Sequence, residues 1–150
     1  MAGDNITFFC DGASRGNPGD ASFGVVAFEG DGNVSLNAFR ASEDSAVYIK
    51  AQRIGKRTNN EAEYAAIIDA LEKCAELEIF NPTICSDSEL VIRQLKGEYK
   101  VKNENLKGLF ARANTLAQTV KPKLVHVRRE KNQIADFLAN RALDQTAAPG

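Results

Sequence analysis

The chain lacks tryptophan altogether and carries a single histidine and a single methionine among its 150 residues. No stretch approaches the roughly 20 consecutive apolar residues that a membrane span requires. The opening MAGDNITFFC has no basic region ahead of its short apolar run, so neither membrane insertion nor secretion is expected. Cysteine is scarce: Cys10, Cys74 and Cys85 are widely spaced, odd in number and form no C-x-x-C pair. Zinc and dithiol chemistry are therefore left without a motif, and reduced, buried thiols in a cytoplasmic protein are expected. The phosphate-cradling pattern G-x-x-x-x-G-K-[ST] is absent, and no G-x-G-x-x-G follows a strand, which argues against a nucleotide-binding domain. There is no internal repeat, low-complexity tract or linker. A hydrophobic content of 43% over this length fits one globular domain, expected over residues 1–146 with residues 147–150 as a frayed tail.

The formal net charge of -1 conceals a division along the chain. Residues 1–92 hold 7 Lys+Arg against 15 Asp+Glu, whereas residues 93–131 hold 11 against 3. Concentrated Lys and Arg suit a polyanion, because they displace counterions condensed on phosphates. A solvated lysine-rich helix has the same composition, so charge alone leaves both readings open.

Periodicity places the elements. NITFFC is a short apolar run ended by Asp11-Gly12 and reads as a strand. SFGVVAFEGDGNVSLNAF reads as a hairpin turning at Gly30-Asp31-Gly32-Asn33. Residues 41–57 are ambiguous, with AVYIKAQRI as a possible further strand. A long helix is expected from about Asn59 to Leu77, opened by the capping-box pattern of Thr58 and Glu61. PTICSD reads as a short strand ending in an aspartate. Helical periodicity returns in SELVIRQL and from about Asn103 to Val120; KLVHV is a last strand and NQIADFLANRAL a last helix with Asn132 as N-cap. A hairpin followed by strands alternating with helices predicts an α/β or α+β domain, a mixed sheet covered by helices.

Four carboxylates stand out. Asp11 and Asp87 each end a predicted strand, where α/β sheets place their sites, although aspartate is also common wherever a chain turns. Glu63 lies on the apolar stripe of its helix, four residues before Ile67, and a carboxylate facing a core needs a partner or a metal. Asp136 sits in the first turns of the last helix, off the stripe of Ile134, Leu138 and Ala142, where contact with the helix N-terminus would also account for it. If the four converge, they form an all-oxygen site suited to hard divalent cations such as Mg²⁺ or Mn²⁺. Two such ions make the clamp used for in-line attack at phosphodiesters, and a nearby basic segment would hold the polyanion.

The sequence resembles the type 1 ribonuclease H family. The resemblance rests on FCDGASRGNPG at residues 9–19, TNNEAEY at 58–64, CSDSELV at 85–91 and REKNQIADFLANRAL at 129–143, in the family's order and spanning nearly the whole chain. It implies a five-stranded mixed sheet flanked by helices. It also implies two Mg²⁺ ions, with Mn²⁺ as substitute, held by Asp11, Glu63, Asp87 and Asp136, and Asp11 shared between the ions. The activity implied is hydrolysis of the RNA strand of RNA–DNA hybrids, leaving 5′-phosphate and 3′-hydroxyl ends, by a monomer. Asn17 and Asn59 match positions that touch the substrate, and Thr58 and Asn103 match positions near the DNA phosphates; Asn17 also suits a turn and Thr58 a cap. Double-stranded RNA is a further candidate partner, because its minor groove shares the 2′-hydroxyls.

Several features depart from the family pattern. Many members carry a histidine in the loop before the last helix; His126 lies instead in the strand-like KLVHV and reads as structural. Arg129 in RREKN is the candidate cation in its place, acting electrostatically because a guanidinium does not shuttle protons near neutral pH. LKGEYKVKNENLK is too short for the tryptophan-bearing basic handle of longer members. The 25 residues between Gly32 and Thr58 exceed the compact pattern by about a dozen. Glu89 stands where an uncharged amide is common. The alternatives are another nuclease of the same fold, such as a junction resolvase or integrase, and a catalytically weak or silent module that binds hybrid or double-stranded RNA. The former share a carboxylate cluster but not this combination of motifs, and the latter would have lost an acid.

Overall fold

The computed structural model describes residues 5–145, so the expected tail at 147–150 lies outside the described residues. β1 (Ile6–Gly16) and β2 (Gly19–Glu29) form a long antiparallel hairpin closed at Asn17-Pro18. The turn therefore lies between Gly16 and Gly19, not at Gly30–Asn33. Gly16, at φ 108°, adopts a backbone that a side chain would strain, and proline suits the turn. β1 consequently runs past Asp11 instead of ending there. The Gly30–Asn33 stretch leads into a short helix, α1 (Leu36–Ala41), because Ser35 caps the Ala38 N–H and Phe39 is fully buried. The ambiguous segment is an edge strand, β3 (Ala46–Arg57), antiparallel to β2.

α2 (Asn59–Glu76) starts at the expected capping box, with the Thr58 hydroxyl accepting from Glu61 N and Glu61 Oε1 accepting from Thr58 N. β4 (Thr83–Ser86) and β5 (Lys123–His126) add in parallel to β1, giving one mixed sheet in the order β3-β2-β1-β4-β5. α3 (Glu89–Leu95), α4 (Glu104–Val120) and α5 (Gln133–Asp144) complete the chain. No helix among the described residues is long and apolar enough to cross a membrane.

Strand alternation divides the core between the two faces of the sheet. Phe8, Cys10, Phe23 and Val25 pack with Tyr64, Ile67 and Leu71 of α2 and with Leu106 and Ala113 of α4. Val26 and Phe28 pack instead with Phe39, Ile134 and Leu138, partly covered by Phe9. All three cysteines are free and buried. The buried Tyr64 hydroxyl donates to Gln94 Oε1 at 2.6 Å, tying α2 to α3.

Two glycines let helices approach the sheet beside Asp11. A Cβ on Gly12 would overlap the backbone of Ala62 and Glu63 in α2, and a Cβ on Gly24, the cross-strand partner of Asp11, would overlap the backbone of Ala135 and Ala139 in α5. Neither clash can be relieved by turning a side chain. Gly24→Ala is expected to destabilise the fold by about 1–3 kcal/mol or more through overpacking, read as a lower urea midpoint. An unchanged midpoint would contradict the close approach.

Candidate active site

Asp11 lies one residue beyond the last β1–β4 pair, Cys10 with Ser86, at the point where the parallel strands part. It is 5% exposed, and Glu63, one turn into α2, is 4% exposed with its Oε1 accepting the Gly12 N–H. Asp87 follows β4 directly and is half-buried; Ser88 then caps α3 by accepting from Val91 N at 3.3 Å. One carboxylate oxygen from each of Asp11, Glu63 and Asp87 lies within 4.8 Å of the other two. These three form the tight group. Asp136, in the first turn of α5, is exposed and stands outside it, but lines the same cavity of about 690 Å³.

Other predicted positions divide between the cavity and its surroundings. Asn59 and Arg129 line it, Arg129 from a single 3₁₀ turn at Arg129–Lys131. Asn17 sits on the exposed hairpin turn and accepts the Asn59 N–H at 3.0 Å, linking that turn to the start of α2. Thr58 is engaged in its cap, and Asn103 caps α4 by accepting from Asn105 N at 2.8 Å; neither lines the cavity. His126 is exposed at the end of β5, opposite Ser86, and is also not part of the lining. Asn140 is a lining residue that the sequence reading does not single out. Its Nδ2 donates to both the carbonyl and Oδ1 of Asp136, at 3.0 and 3.1 Å, and its spacing of four from Asp136 was a readable signal. Glu130 and Gln133 also line the cavity, and nothing in their spacing marks them.

The electrostatics of the tight group are unfavourable as they stand. Burial, followed by the neighbouring charges of Glu63 and Asp87, pushes the Asp11 carboxyl up to about 10. Glu63 is raised to about 8 by burial and then by the Asp87 charge, partly offset by the Gly12 N–H bond. No ion pair among the described residues involves Asp11, Glu63 or Asp87. A compact set of hard oxygen donors without a cationic side chain fits a divalent metal ion, which would supply the missing positive charge.

Comparison with known proteins agrees with this geometry. A family model described as reverse transcriptase-like matches residues 9–142. Ribonuclease HI of Halobacterium salinarum is 37% identical over 95% of this chain and 66% of its own length. The crystal structure of RNase H1 from that archaeon superposes with a TM-score of 0.81, covering 94% of this chain and 98% of the other at 37% identity. The chain belongs to the type 1 ribonuclease H family. LC11-RNase H1, solved in complex with RNA/DNA hybrid, is a further member with 37% identity, a TM-score of 0.80 and coverage of 93% and 97%. The bifunctional protein Rv2228c of Mycobacterium tuberculosis is 37% identical over 95% of this chain but 36% of its own length. The chain thus spans just under two thirds of the first of these curated relatives and about a third of the second. Ribonucleases H of this family generally use divalent metal ions, and the acidic group described here is of a kind that suits one.

The raised carboxyls predict a pH dependence whose sign follows from linkage. In the cation-free protein, Asp11 and Glu63 keep protons that the unfolded chain releases near pH 4. The folded state then binds more protons between about pH 4 and the folded values of about 8 and 10, so stability falls as pH rises through that window. Thermal scans in chelator should show Tm declining from pH 5 to 9, with a shallower decline for Asp11→Asn. Identical slopes for the two proteins would contradict the assignment.

Proposed function

We propose that the chain is an endonuclease that hydrolyses the RNA strand of RNA–DNA hybrids, leaving 5′-phosphate and 3′-hydroxyl ends. The observation that carries this reading is the convergence of Asp11, Glu63 and Asp87 on one open cavity that Asp136 also lines, within a ribonuclease H fold. Asp11, Glu63, Asp87 and Asp136 would hold two Mg²⁺ ions, with Mn²⁺ as substitute. When bound, such a pair supplies stabilisation of charge on the phosphodiester and water acidic enough to attack near neutral pH. The remaining work falls to the chain's own residues. Asn59 on the cavity wall and Asn17 bonded to it are the proposed contacts to the minor groove, where 2′-hydroxyls separate RNA from DNA.

Thr58, at the N-terminus of α2, and Asn103, at that of α4, are the proposed contacts to DNA phosphates, each at a helix end whose dipole favours an anion. Arg129 faces the cavity and would hold a phosphate or the departing product. Grip on the polyanion falls to the Lys and Arg of residues 93–123, so binding should weaken steeply with salt. All these residues lie on one sheet and the helices packed against it, which supports a single catalytic domain.

Asp87→Asn should abolish Mg²⁺- or Mn²⁺-dependent cleavage of a labelled hybrid while circular dichroism stays unchanged. Cutting of hybrid, double-stranded RNA and double-stranded DNA compared at several salt concentrations reads the specificity directly. Hybrid should be cut fastest and duplex DNA not at all; equal cutting of duplex DNA would overturn the strand-specific reading. Arg129→Ala should slow turnover with little change in fold, and unchanged kinetics would remove it from the site.

A further inference from the structure

Asn132 opens α5 at the position where its side chain is expected to cap the helix, yet it makes no capping bond. Its backbone, at φ -124° and ψ 24°, also departs from the extended conformation of the capping residues Ser35, Thr58, Ser88 and Asn103. The amide turns inward instead. Nδ2 donates to the Cys10 carbonyl at 2.8 Å, the residue is 1% exposed, and its buried Oδ1 has no partner among the described residues. A buried, unpaired oxygen and an uncapped helix end are both disfavoured. Helix capping therefore does not account for the asparagine.

Its connections do. Cys10 immediately precedes Asp11 and belongs to the last pair that β1 makes with β4. The main-chain carbonyl of Asn132 accepts the Asp136 N–H at 3.1 Å. One residue thus holds the backbone of β1 just before Asp11 with its side chain and the first turn of α5 at Asp136 with its main chain. The same connecting segment makes a matching contact on β4, where Val127 N–H donates to the Ser86 carbonyl at 2.9 Å, just before Asp87. The two carbonyls that precede the two strand-borne acids are both taken up by residues 127–132.

We infer that Asn132 is a positioning residue that sets the separation of Asp136 from Asp11 across the cavity, by pinning the start of α5 to the carbonyl of Cys10. Its effect on catalysis rests on the reading of these acids as the metal-binding set; its effect on geometry does not. Asn132→Ser and Asn132→Thr test it, since neither side chain reaches Cys10 and both carry a hydroxyl suited to a helix start. Both should stay folded at the assay temperature, with Tm lowered only by the lost bond to the Cys10 carbonyl. Each should lose about tenfold or more in kcat on hybrid with KM little changed, as displaced catalytic groups do. Each should also bind Mn²⁺ about tenfold or more weakly in calorimetric titration without nucleic acid, the usual scale for residues that orient metal ligands.

Crystal structures of the natural chain and Asn132→Ser supply a readout independent of activity, in which the distance from Asp136 to Asp11 should change. Full retention of kcat and Mn²⁺ affinity by both variants would overturn the inference and make Asn132 an ordinary helix start. Unfolding of both variants at the assay temperature would overturn it too, by assigning the residue to stability. If the natural chain neither binds Mn²⁺ nor cuts hybrid, the proposed function fails. The crystallographic distance then still decides whether Asn132 positions Asp136: a change supports the inference and an unchanged distance overturns it.

Discussion

Mutual repulsion among three closely spaced carboxylates, two of them buried, is the constraint around which this molecule is organised. Asp11 and Glu63 are almost entirely buried, Asp87 stands beside them, and no lysine or arginine among the described residues pairs with any of the three. Burial and like charge act in the same direction, favouring the protonated acids in the absence of a cation. Such an arrangement is costly to a fold on its own and becomes favourable once a divalent ion is shared among the oxygens. The cluster that suits a divalent ion is therefore one that costs the fold stability without it.

The scaffold holds the acids together by exact backbone contacts instead of by flexible side chains. Gly12 and Gly24 let α2 and α5 come within backbone contact of the sheet on either side of Asp11. The capping box fixes where α2 begins, and the Gly12 N–H then receives Glu63. The bond from Tyr64 to Gln94 ties the helix bearing Glu63 to the one that follows Asp87. On the opposite side, Asn140 bonds the Asp136 carboxylate, and α1 braces the middle of α5, with Arg40 and Arg141 both near the Phe137 ring. The inserted residues between Gly32 and Thr58 thus have a packing role: Phe39 fills the core against Phe28 at a centroid separation of 6.5 Å, and β3 closes the edge of the sheet.

Much of this was legible in the sequence where local chemistry and tertiary structure agree. The capping box at Thr58 and Glu61 fixes α2 because the cap is made by neighbours in the chain, and the apolar stripes of α2 and α5 match the faces they bury. The hairpin was misplaced for a definite reason. Gly30-Asp31-Gly32-Asn33 has strong turn chemistry, while the actual turn at Asn17-Pro18 sits inside a glycine-rich stretch that does not alternate like a strand. β3 carries an exposed, basic outer half, so its burial pattern is too weak to distinguish strand from loop. Asn132 escapes sequence reading altogether, because an inward link to Cys10 across 122 positions leaves the same residue at the same place as an ordinary cap.

Burial and like charge raise the Asp11 and Glu63 carboxyls, so a divalent ion bound among them should displace protons. Calorimetric titration of Mn²⁺ at pH 7 in buffers of different ionisation enthalpy measures that exchange directly. Proton release on binding, at least one per protein and strongly reduced in Asp11→Asn, is the result the account predicts. Tight binding with no proton released would show that the acids are already ionised, and would contradict it.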